Sequence, residues 1–310
     1  MNAILKFVKD WTLPLAIISG TIFYKFFSLL APITPYLIFC MLLVTFCKLS
    51  PRKVRLNHLH IWLVAIQIVG CIAIYLALYK YNPTFAQGAM ICILAPTATS
   101  APVITGILGG SVASITTYTL IGNLMVAIAA PVIFSFIGPH SDLLFLDSFV
   151  LICKKVMPLL ILPLLIAWGI QKFAPKVHKK IVSFHLLSFY LWAFALMVVM
   201  GKTVSFLINQ ENPDIATELL IAFASLIICC LQFVAGRKIG SKYNKTIAGG
   251  QGLMQKNTIL AIWMALTFLN PISSVGPASY VVWQNTINSW QLWKRRKLKE
   301  AEKQEEIIQE

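Results

Sequence analysis

Apolar residues run along this chain in long blocks, and polar residues gather almost entirely in the short stretches between them. Ten blocks can be marked: residues 13–29, 33–47, 61–78, 85–108, 112–137, 149–170, 182–207, 216–234, 247–268 and 275–293. A helix that crosses a bilayer needs about 20 predominantly apolar residues. The pattern therefore predicts an all-α polytopic membrane protein with ten transmembrane helices. Block 33–47 falls short of that length, and two others carry interruptions. The first reads Ala95-Pro96-Thr97-Ala98-Thr99-Ser100-Ala101-Pro102, the second Ala248-Gly249-Gly250-Gln251-Gly252-Leu253-Met254-Gln255-Lys256-Asn257. Bilayer interior offers no water to unpaired N–H and C=O groups, so non-helical backbone persists there only when buried in protein or lining a wet cavity.

The interruptions occupy matching places, the fourth block of each set of five. An odd number of spans per half forces the second half to insert upside down relative to the first. Two inverted five-helix repeats with broken helices 4 and 9 crossing near the midplane are therefore expected, as in many secondary carriers. The half-helix ends would direct partial positive charge from their N-termini and partial negative charge from their C-termini at whatever lies between them.

Composition agrees with this class. The 310 residues are 58% hydrophobic and only 12% charged. A net charge of +15 could suggest nucleic acid, but the placement of the basic residues decides otherwise. Lys6 and Lys9 precede the first block. Lys48, Arg52, Lys53 and Arg55, then Lys172, Lys176, Lys179 and Lys180, then Arg237, Lys238, Lys242 and Lys245, and finally the tail from Lys294 all follow even-numbered blocks. The opposite connections hold Asp142, Asp147, Glu211 and Asp214. This alternation follows the positive-inside rule and predicts a multi-pass protein of the cell (inner) membrane with both termini cytoplasmic. Membrane lipid is the expected surrounding, and no nucleic acid or protein partner is indicated.

The basic start fits a cleaved leader, but no small-residue cleavage site follows before Tyr24-Lys25-Phe26-Phe27, so 13–29 is read as a span. Seven cysteines are scattered without a Cys-x-x-Cys pair, which indicates neither a disulfide framework nor a zinc site. His58 and His60 stand two apart and point to different helix faces, as expected of polar residues at a membrane boundary. No span interior is expected to hold an Asp or Glu, so a carboxyl proton relay has no members. No acid, base, nucleophile or metal set of an enzyme is present in the spans either.

Several residues carry a resemblance. The run from Ala95 to Asn123, with Pro96-Thr97-Ala98-Thr99-Ser100, Gly109-Gly110-Ser111-Val112-Ala113 and Thr119, resembles the fourth and fifth spans of the bile acid:sodium symporter family. Met254-Gln255 with the helix that follows resembles the ninth span. Val281-Val282-Trp283-Gln284-Asn285 resembles the tenth, and Gln67 falls where that family keeps a glutamine in the third. The resemblance implies a single ten-span carrier unit over residues 1–295 and a charged cytoplasmic tail over 296–310. Helices 1, 2, 6 and 7 would form a panel, and helices 3–5 and 8–10 a core. A small organic anion would bind between them and cross by alternating access.

The family's sodium-site pattern is altered. A Ser-Asn pair is replaced by Ala101-Pro102, a serine by Ile115 and a glutamate by Gln251, with Thr119 retained. Sodium is a hard cation that takes several oxygen ligands, preferably one of them a carboxylate. The resemblance leaves sodium ligands only at Gln67, Gln251, Met254 and Gln255, and no other cofactor is implied. Lys256 stands where the family has an asparagine. A lysine buried at the midplane is costly and functional by default. Three readings of it stand open: its ammonium replaces a sodium ion, it titrates and couples transport to protons, or it snorkels toward water. Substrate contacts are expected from Thr99, Thr105, Lys256, Asn257 and Asn285, although Thr and Ser in spans often bond their own backbone one turn back.

Lys154 and Lys155 are read as snorkelling to the outer interface, and Pro131, Pro158 and Pro163 as kinks. Trp11, Trp283, Trp290 and Trp293 are read as interfacial anchors. Two rivals remain beside a sodium-coupled carrier: a sodium-independent carrier of the auxin-efflux type, and a membrane sensor that binds a ligand without moving it.

Overall fold

The computed structural model describes residues 12–49, 54–137, 144–183, 187–211 and 213–309. Lys6, Lys9, Trp11, Arg52, Lys53 and Asp142, all used above, lie outside the described residues. The chain folds as an all-α membrane protein. Its helices in order are α1 (Thr12–Ile22), α2 (Tyr24–Leu29), α3 (Thr34–Cys47), α4 (His58–Tyr79), α5 (Pro83–Leu94), α6 (Ala101–Ile107) and α7 (Val112–Ile137). Then follow α8 (Phe145–Phe173), α9 (Pro175–Ser183), α10 (Leu187–Ile208), α11 (Ile215–Ser241), α12 (Thr246–Met254), α13 (Thr258–Phe268) and α14 (Val275–Gln309). Short 3₁₀ turns, Ala31–Ile33 and Pro271–Ser274, precede α3 and α14.

Five of these helices are long and apolar enough to cross a membrane: α4, α7, α8, the Tyr190–Ile208 part of α10, and α11. Isoleucine, leucine and valine side chains stand bare along them, Val69 and Leu76 on α4 among them. Water does not tolerate such continuous apolar faces, whereas lipid does.

Polar residues mark the helix starts. Asn57 caps α4 by accepting from the His60 N–H, and the His60 ring accepts the Asn57 N–H in return. With that ring nitrogen accepting, the other donates to Ser114 Oγ at 3.0 Å. His60 is thus a buried capping residue. Asn82 and Asp214 cap α5 and α11. Pro83 and Pro102 occupy first-turn positions of α5 and α6, where a missing N–H costs nothing. Pro131 in α7 and Pro158 and Pro163 in α8 leave their helices continuous.

Two sets of helices pack closely, and α7 bridges them by packing on α8. In one, α10 lies on α1, α2 and α3, and α3 lies on α8. In the other, α4 packs on α5, α11 on both α12 and α5, and α14 on α11. One apolar core joins the two sets, with Phe46 and Leu196 from the first, Ile91 from the second, and Phe134 of α7 and Phe268 of α13. Helices α11 and α12 approach closely. Gly236 and Gly240 of α11 meet Gly249 of α12 backbone to backbone, and a Cβ on Gly236 or Gly249 would strike the other's carbonyl oxygen. Small residues permit such approach between helices in membranes.

Candidate functional site: the crossing of two broken helices

Both interruptions are breaks, and they meet. Helix α5 ends at Leu94 and α6 begins at Ala101, so the first break spans 95–100. Helix α12 continues through the whole glycine run and ends at Met254, so the second is confined to 255–257. This corrects the expectation that the glycines themselves interrupt the helix. Gly249 and Gly250 serve the contact with α11 instead, and Gly252 faces Tyr118 of α7 and Leu63 of α4. Thr97 and Lys256 form an antiparallel bridge. The Ala98 N–H donates to Gln255 O at 2.7 Å and the Asn257 N–H to Pro96 O at 2.8 Å.

The carbonyls freed by the first break can be followed one by one. Pro96 has no N–H, which strips Cys92 O of its helical donor. The Gln232 side chain of α11 supplies one at 3.2 Å. Lys256 Nζ donates to Ile93 O at 2.8 Å. Gln67 of α4 donates its amide to Leu94 O at 2.7 Å and to Ala95 O at 2.9 Å. Pro96 O is met by Asn257, as above. Helix ends buried without such partners are rare because each orphaned group is expensive.

The second break is satisfied by a different set. The Thr97 hydroxyl donates to Gly252 O at 2.9 Å, and the Tyr280 hydroxyl of α14 donates to Met254 O at 2.8 Å. Gln284 clamps the backbone of Lys256 in both directions, accepting its N–H at 2.8 Å and donating to its carbonyl at 3.3 Å. Two glutamine–tyrosine pairs complete the frame. Tyr118 of α7 donates to the Gln67 oxygen at 2.8 Å, and Gln232 donates to the Tyr280 oxygen at 3.0 Å.

The expected site residues separate on this geometry. Gln67, Met254, Gln255, Lys256 and Asn257 gather at the crossing. Asn257 uses its side chain to cap α13 through the Leu260 N–H at 3.3 Å. Gln255 donates to the exposed Ser100 hydroxyl at 2.9 Å, with the half-buried Thr99 beside it in sequence. Ala101 is buried at the start of α6, and Pro102 follows it. Thr119 donates to Ile115 O on its own helix at 2.9 Å, and Asn285 to Val281 O on its own at 2.7 Å. Thr105 is fully buried, and its hydroxyl has no partner. Gln251 is also fully buried and donates to Asn288 at 3.1 Å.

Two of the four expected sodium ligands already accept a hydrogen bond. The Gln67 oxygen accepts from Tyr118 and the Met254 carbonyl from Tyr280, which leaves free oxygens only on Gln251 and Gln255. No carboxylate stands among the four.

Sequence reasoning missed Tyr118, Gln232, Tyr280 and Asn288, and saw Gln284 only as part of a similar stretch. The available signal was their polarity inside apolar blocks, where an unpartnered amide or hydroxyl is costly. No family model matches the chain, and no curated protein matches it.

Proposed function

We propose that this chain is a secondary carrier that moves an organic anion across the membrane by alternating access, as a divergent relative of the bile acid:sodium symporters. The crossing of two breaks carries the reading. Extended backbone from two separate helices, paired inside an otherwise apolar core, is the arrangement by which carriers hold a solute at the midplane. In this reading the ten blocks are ten spans in two inverted repeats. The glutamine–tyrosine pairs support the repeat: Gln67 and Gln232 come from the third block of each half, Tyr118 and Tyr280 from the fifth. The reading divides the spans into a panel of 1, 2, 6 and 7 and a core of 3–5 and 8–10, supported by the packing of α10 on α1, α2 and α3 and of α11 on α5, α12 and α14. Both termini then lie in the cytoplasm, by the distribution of basic residues.

The substrate binds beside Thr99 and the exposed Ser100 at the crossing, with Asn285 as a further donor. A sodium-independent mode of the auxin-efflux type is favoured over sodium symport, because half the expected sodium oxygens are already bonded and none is a carboxylate.

Counterflow tests the proposal. Proteoliposomes loaded with an unlabelled organic anion, with a bile salt and an indole carboxylate among those tried, should accumulate the labelled anion with and without a sodium gradient. Binding without counterflow for every anion bound would make the protein a sensor and end the carrier reading.

A further inference from the structure

We infer that Lys256 is a built-in cation: its ammonium fills a monovalent-cation subsite at the C-terminal end of α5, so that the crossing carries its own positive charge and takes no sodium there. The inference rests on the geometry of the crossing and would survive failure of the carrier reading.

The side chain is held at both ends. Gln284 fixes its backbone on both faces, and the ammonium reaches Ile93 O at 2.8 Å. Lys256 is 1% exposed, which removes the reading in which its head snorkels to water. Neutral amide donors take the neighbouring carbonyls of Cys92, Leu94, Ala95 and Pro96, so the ammonium goes to the one left over. The C-terminus of a helix carries roughly half a negative elementary charge on such carbonyls, the potential that attracts a metal cation. Among the described residues no Asp or Glu reaches this depth. Asp147 and Glu218 lie in the first turns of α8 and α11, and Glu218 is engaged with Gln210. Backbone carbonyls are among the groups with which buried lysines in membranes pair.

Truncation of the side chain should expose the subsite. Lys256→Ala removes three methylene groups and the ammonium, the volume of propylammonium. Melting of the purified full-length chain in detergent is followed in sodium chloride, propylammonium chloride and choline chloride at equal ionic strength. Wild type should melt at one temperature in all three. Lys256→Ala should melt lower in choline, and its melting temperature should rise with the logarithm of propylammonium concentration, as for a ligand that binds the folded state alone; sodium, left with the single free carbonyl of Ile93, should do less. A wild type stabilised by sodium over choline would overturn the inference, as would a folded Lys256→Ala that propylammonium stabilises no more than choline does. If Lys256→Ala yields no folded protein, Lys256→Arg and Lys256→Met decide: folding of the charged variant alone supports the built-in cation, and equal behaviour of the two overturns it.

Discussion

The two breaks interrupt their helices by different means. The first is imposed by its own sequence. Pro96 lacks an N–H and clashes with the preceding turn, and the carbonyls it frees are met by side chains from α4, α11 and the opposite break. The second contains no proline, and its N–H groups are present but drawn elsewhere: that of Lys256 to the Gln284 side chain and that of Asn257 to Pro96 O. It is imposed by neighbours. Its half-helix is anchored by glycine contacts against α11, which bring the end of α12 to the place where Tyr280 and Thr97 cover the last carbonyls. One break is therefore written locally, and the other depends on tertiary structure.

Steric disruption of the second break should have the largest effect. Gly249→Leu drives a side chain into the Gly236 carbonyl and should cost about 3 kcal/mol or more, read as loss of folded yield and a lower melting temperature in detergent. Gly169 has open space where a Cβ would go, and Gly169→Ala should leave melting unchanged or slightly raised. Similar behaviour of the two variants would remove the glycine contact from the account.

Gln67→Leu attacks the first break. It strips the donors from Leu94 O and Ala95 O and the acceptor from Tyr118, each a buried group worth about 1–3 kcal/mol when left unpaired. A total loss of about 2–5 kcal/mol is expected, because relaxation and water recover part of it. A chemical melt indistinguishable from wild type would mean that these carbonyls are satisfied in another way.

The tyrosine pair sharpens the comparison with smaller effects. Tyr280→Phe uncovers the Met254 carbonyl and deprives Gln232 of an acceptor, at about 1–3 kcal/mol. Tyr118→Phe removes only a donor to Gln67 and should cost about 1 kcal/mol. Parallel melts of the two variants test this order, and the reverse order would shift the structural weight from the second break to the first.

The sequence carried the local part of this structure. Among the described residues the apolar blocks are largely helical, and Pro96 marked the first break, because block length and a missing N–H are properties of a few neighbouring residues. The glycine run misled for a physical reason: glycine is poor in helices in isolation, but here three of them, Gly249, Gly250 and Gly252, stay helical, and Gly249 allows the backbone approach to α11. The partners at the crossing were illegible because they come from distant segments. Gln232 reaches Cys92, and Lys256 reaches Ile93, across more than a hundred residues of chain. Lys256 stood out as costly, but only the fold reveals that its ammonium turns toward a helix end and away from water.

The pairing of the two breaks is the centre of the account, and a disulfide tests it most directly. Thr97 and Lys256 face each other as a non-hydrogen-bonded antiparallel pair, for which Cα atoms lie about 4.5 Å apart, within disulfide reach. In a chain whose native cysteines are replaced, Thr97→Cys with Lys256→Cys should cross-link nearly completely under mild oxidation, identified by mass spectrometry of the joined peptides. A folded double variant whose thiols stay free and separately reactive would contradict it.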